Sequence, residues 1–112
     1  MLISKLLSIC DGLHIPAAYG AFREPQVPPF VCILGDGEDT FKADNEIYHR
    51  NPQYTMEYYF TEKAEEREFE FEDALVRNGF IYVKSEDIFI EAENVYEIQY
   101  TVWRSITNGR SE

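Results

Sequence analysis

Cys10 and His14 stand four residues apart, the spacing at which a thiolate and an imidazole share one face of a helix and could hold zinc. Asp11-Gly12 falls between them and no second pair completes four ligands, so a core thiol and a surface imidazole are expected instead. Asp36, Glu38 and Asp39 offer hard oxygens to calcium, but without the regular alternation and closing glutamate of an EF-hand. Gly35 and Gly37 lie in "LGDGED", where a phosphate loop would need a lysine and acidic residues would repel the phosphate. A serine nucleophile would need a base, yet neither His14 nor His49 accompanies a Gly-x-Ser-x-Gly elbow. Glu65, Glu66, Glu68, Glu70 and Glu72 could pass for paired acid/base carboxylates; their crowding on a helix predicts a solvated face. The expectation is a protein without an active site, a metal or a cofactor.

The bulk composition is consistent with that. At 112 residues the chain suits one domain with one modest core, and 45% hydrophobic content is in the globular range. Ten basic against 21 acidic residues leave a formal charge of -11, which repels phosphate backbones and anionic headgroups, so no specific nucleic-acid binding is expected. Cys10 and Cys32 have apolar neighbours, no charged-then-apolar leader opens the chain, and no run approaches the roughly 20 apolar residues of a membrane span. A cytosolic protein with buried thiols and no membrane segment is predicted.

Helical spacing of Leu2, Ile3, Leu6, Leu7 and Ile9 predicts a short amphipathic helix stopped by Asp11-Gly12. Residues 15–22 and 30–35 read as strands, separated by "REPQVPP", whose prolines forbid a helix or a central strand. Residues 46–60 read as a short strand, a break at Asn51-Pro52, and a longer strand from Gln53. In the longer strand Tyr54, Met56, Tyr58 and Phe60 share the drier face. The best helix follows, with Thr61 as expected N-cap, Asn78-Gly79 as stop, and Ala64, Phe71 and Leu75 on the packing stripe. Two alternating runs then form a hairpin about Ala92-Glu93-Asn94, with a bulge or kink at Ser85-Glu86-Asp87. These elements predict an α+β domain over residues 1–106 in the order α-β-β-β-α-β-β. Its single antiparallel or mixed sheet has four to five strands, with both helices on one face and a frayed polar tail over 107–112.

"AAYGAFREPQVPPFVCIL", "DTFKADNEIYHRNPQYTMEYYF", an acidic helix and "FIYVKSEDIFIEAENVYEIQY" together resemble small proteins of long-tailed phages and prophages of Gram-positive bacteria. The resemblance runs from about Ala17 to Tyr100. Its most specific pieces are Pro29-Phe30, Phe41-x-Ala43-Asp44-Asn45 before Tyr48, and Lys84-Ser85-Glu86. Proteins of that family look like tail-completion or tail-terminator proteins at the head-tail joint. The resemblance implies a ring, typically of six copies, that ends the tail tube and meets the head connector, with self, tube protein and connector as partners. It also implies a location in the host cytoplasm during assembly and in the virion afterwards. An adaptor bound to the connector is an alternative; so is a small ligand-binding domain or enzyme with an aromatic pocket around Tyr19, Tyr54 and Tyr58.

Candidate interface residues follow. Phe41, Lys42, Asp44 and Asn45 lie in a long polar, glycine-bearing segment, read either as an assembly loop or as a loop with Phe41 folded back on its own sheet. Phe69 and Val76 fall well off the packing stripe of the second helix and face a neighbour unless that helix is rotated. Trp103 lies opposite Tyr96 and Tyr100 in its strand, where it covers a helix or meets a partner.

Overall fold

A computed structural model describes residues 2–38 and 51–104. Phe41, Lys42, Asp44 and Asn45 lie outside the described residues, as do the short strand expected ahead of Asn51-Pro52 and the C-terminal tail. The elements are α1 (Leu2–Gly12), β1 (Ala17–Tyr19), β2 (Phe30–Glu38), β3 (Pro52–Phe60), α2 (Glu65–Arg77), β4 (Phe80–Lys84), β5 (Ile88–Ile90) and β6 (Val95–Arg104). They build an α+β fold on one six-stranded mixed sheet, ordered β1-β2-β3-β6-β4 with β5 also pairing β6.

The sheet is mixed because β1 pairs β2 in parallel, while every other pair is antiparallel. A parallel neighbour needs a crossover, and the proline connector supplies it by passing over the sheet face away from the helices. Phe22 of that connector packs edge-on against Phe30 at 5.5 Å, and Phe30 stacks on Tyr59 at 4.9 Å.

The register aligns the dry faces of the long strands: Val31 faces Tyr58, Ile33 faces Met56, Met56 faces Tyr100, Tyr58 faces Ile98 and Tyr54 faces Val102. Leu6, Ile9 and Cys10 of α1 join Phe71, Ala74 and Leu75 of α2 in the same cluster, so both helices cover that one face. Tyr58 stacks on Phe71 with ring centroids 5.6 Å apart, and Phe71 meets Tyr100 edge-on at 5.0 Å. Burial of side chains this size contributes about 1.5–3 kcal/mol each, which makes the aromatic layer the main tie between helix and sheet.

Local chemistry sets the element ends. Thr61 is not the N-cap: α2 begins at Glu65 behind Ala64, which has no side-chain cap. β3 runs to Phe60, so Thr61 to Lys63 are spent carrying the chain from the sheet to the helix layer. In place of a cap, the first turn carries Glu65, Glu66 and Glu68, whose negative charge suits the positive end of the helix. At the other end Gly79 takes φ +87°, the left-handed value that ends helices cheaply only at glycine. Strand β2 extends past its expected end at Gly35, through an irregularity between Gly35 and Glu38 where Gly37 has φ +86°. Six strands replace the four to five expected largely because the kink at Ser85-Glu86-Asp87 divides one run into β4 and β5. Ser85 holds that kink: its Oγ accepts from the Gln99 N–H at 2.9 Å and donates to the Glu86 carbonyl at 2.8 Å.

Candidate functional site

Helix α2 lies against β4, and the two share a polar cluster within an otherwise apolar layer. Glu68 is 1% exposed and Glu72 is also buried. One turn apart on α2, they point toward the Tyr82 and Lys84 side chains, which alternate onto the helix side of β4. Lys84 Nζ lies 3.1 Å from Glu68 Oε1 and 2.8 Å from Glu72 Oε2. Lys63 Nζ reaches Glu68 Oε2 at 2.8 Å as an ion pair without an aligned hydrogen bond, and donates to Asp87 Oδ1 at 3.1 Å. Tyr100 donates its hydroxyl to Glu72 Oε2 at 2.7 Å, and Tyr82 to Glu72 Oε1 at 3.3 Å.

The expected wholly solvated face of glutamates is thereby corrected: Glu65, Glu66 and Glu70 are exposed, but Glu68 and Glu72 are not. Lys63, just ahead of the helix, and Lys84, sixteen residues past Glu68, compensate the buried carboxylates, and the helix's own sequence pattern does not point to Lys84. The i,i+4 spacing of Glu68 and Glu72 beside the apolar stripe was the available signal.

Electrostatics make this cluster a clamp. Burial alone would lower the Lys84 and Lys63 pKa values. For Lys84 the close contacts with Glu72 and Glu68, and for Lys63 those with Glu68 and Asp87, outweigh it and hold both above the ordinary lysine value. A lysine held charged in this way is a poor amine nucleophile. Burial, followed by the Glu72 contact, pushes the phenols of Tyr100 and Tyr82 upward, so neither loses its proton near neutrality. The cysteines are similarly quiet. Burial raises the Cys10 thiol to about 12, and burial together with Glu57 and Glu97 raises Cys32, which leaves little thiolate at neutral pH.

On the opposite face of the sheet Glu97 is buried beside Glu57; burial raises its pKa, a hydrogen bond from Gln99 Nε2 at 3.2 Å lowers it, and Glu57 raises it. Tyr59 donates to Glu57 Oε1 at 3.0 Å, so this pair is also held within the sheet.

The candidate interface residues divide. Phe69 and Val76 are 53% and 58% exposed, as their helical phase predicts, and they share one flank of α2. Val76 lines an open groove of about 320 Å³ with Gly79, Phe80, Ile81 and Tyr82. Trp103 is on the helix-free sheet face, half-buried, paired between Gln53 and Ile81. It covers no helix. Exposed Leu34 and Val83 lie on the same face.

The tyrosines expected to line a pocket differ in burial. Tyr58 is in the core, while Tyr19 is exposed, its hydroxyl 3.4 Å from the Gly35 N–H. Among the described residues no three His, Cys, Asp or Glu side chains cluster as a metal site would require, and no helix is long and apolar enough to cross a membrane. No family model and no curated protein matches the sequence.

Proposed function

We propose that this protein is a structural component of the head-tail joint of a long-tailed phage or prophage. It works at the head-proximal end of the tail by ring-like self-association and by docking to the tube protein and the head connector. The observation that carries the reading is the exposed apolar flank of α2. Phe69 and Val76 take no part in the core although they sit on an amphipathic helix, and side by side on one flank they suit a contact surface. The quiet chemistry of the lysines, tyrosines and thiols supports contact over turnover. A ligand pocket built on Tyr19, Tyr54 and Tyr58 has no such support, because Tyr58 belongs to the core.

The test is electron microscopy of particles assembled without this product. Overlong tails identify a terminator, whereas normal tails beside unjoined heads identify a connector adaptor. Intact, normally joined particles overturn the proposal. Complementation with Phe69→Glu should give folded protein that is not incorporated.

A further inference from the structure

We propose that the free edge of β4, overhung by Phe69 and Val76, docks an extended strand from another protein, apolar along its middle and basic at one end.

Strand β4 ends the sheet order, with β6 on one side and no strand on the other among the described residues. Its outward hydrogen-bonding groups can be assigned. The Ser85 N–H points to the Gln99 carbonyl on β6 at 3.0 Å, continuing the register of Val83 with Thr101 and Ile81 with Trp103. Antiparallel pairs alternate, so the N–H and C=O groups of Phe80, Tyr82 and Lys84 face away from β6. That row of unpaired groups fits only another extended backbone.

An added strand would find apolar surface on both of its faces. On the helix-free side stand Ile81 and Val83, 42% and 58% exposed. On the helix side, Glu68 and Glu72 contact Tyr82 and Lys84 directly, and Phe69 and Val76 come next around the helix, beyond the edge of β4. The groove joining Val76 to Ile81 and Tyr82 shows that helix flank and strand edge form one surface.

Charge decides the occupant. Exposed Glu65 and Asp73 lie one turn to either side of Phe69, and exposed Glu86 follows β4. Arg77 and Arg104 stand at the other end, where Arg104 Cζ lies 5.5 Å from the Phe80 ring centroid. Lysines or arginines of the incoming strand therefore belong beside Glu65 and Glu86, and its apolar residues beside Ile81 and Val76. A second copy does not supply such a strand from its other sheet edge: Ala17–Tyr19 has no basic residue. The inference rests on the free edge and the charges around it, independently of the head-tail reading.

The probe is a capped peptide of about ten residues that alternates valine with threonine in one half and with lysine in the other. It is measured by fluorescence anisotropy and by amide exchange on the full chain. Saturable binding is expected, with the Tyr82 and Lys84 amides slowed about tenfold or more. A central proline in the probe, at constant charge, should weaken binding by about tenfold or more, because it removes a ladder donor. Phe69→Ser or Val76→Ser should weaken binding by roughly tenfold. Equal binding of the proline peptide would mean attraction by charge alone and overturn the proposal, as would unprotected Tyr82 and Lys84 amides. Sedimentation showing a dimer that protects those amides without peptide would assign the edge to a second copy and also overturn it. Failure of any of these leaves the particle-assembly test standing by itself.

Discussion

Glu68 and Phe69 are neighbours in sequence and opposites in environment. The carboxylate is buried against β4 with two lysines, while the phenylalanine is half in solvent on the same helix. Side-chain type alone would place them the other way round. The inner flank of α2 meets β4 through paired charges, and the outer flank carries apolar side chains that lie outside the core. Charges buried together cost desolvation and repay it only through close partners, so the inner flank specifies how α2 sits on the sheet more than how strongly. An apolar side chain left outside contributes little to folding.

Removing a cation from the inner flank should give the largest effect. Lys84→Met leaves Glu68 and Glu72 facing each other with Lys63 alone, and should cost about 3 kcal/mol in urea unfolding. A loss below about 0.5 kcal/mol would mean that water already screens the cluster. The same contribution should disappear with alkali. The folded-state pKa values of Lys84 and Lys63 are raised above the ordinary 10.5, so their stabilisation is complete below that pH and is lost as pH rises through the higher folded values. Unfolding midpoints measured upward from pH 10 should fall, and fall less steeply in Lys84→Met.

A smaller loss is expected of Tyr100→Phe, which removes the 2.7 Å hydrogen bond to Glu72 and keeps the ring packing on Phe71. About 1.5 kcal/mol is the usual worth of a hydrogen bond to a charged group, readable as a lower unfolding midpoint at unchanged m-value. The outer flank should barely register in stability. Phe69→Gln is expected to shift unfolding by less than about 0.5 kcal/mol, with an unchanged circular dichroism spectrum. A loss of several kcal/mol there would erase the distinction between the two flanks.

Much of the architecture was legible from periodicity. Tyr54, Met56, Tyr58 and Phe60 share the inner face, Tyr96, Ile98, Tyr100 and Val102 meet them in register, and Phe71 and Leu75 face both. The kink at Ser85 showed as a lost alternation. Phe69 and Val76 were placed outside by helical phase alone. Thr61 failed as a cap because capping preference says nothing about the length of chain needed to leave a sheet. The pocket of Tyr19, Tyr54 and Tyr58 rested on aromatic content, which does not distinguish a cavity lining from a filled core, and Tyr58 is in the core. The interface candidates Phe41, Lys42, Asp44 and Asn45 fall outside the described residues.

Side-chain type and spacing, which act within a few residues, determined by themselves the helices, the wet and dry strand faces, the acidic surface charge and the outward position of Phe69. Only the tertiary structure decided that Glu68 and Glu72 are buried, that Lys63, Lys84 and Asp87 meet around them, and that β4 ends the strand order among the described residues, with Val76 beside it. Those outcomes depend on which strand lies at the end of the sheet and which helix covers it. Charge pairing across 16 or more residues exists only once strand order brings the partners within a few ångströms.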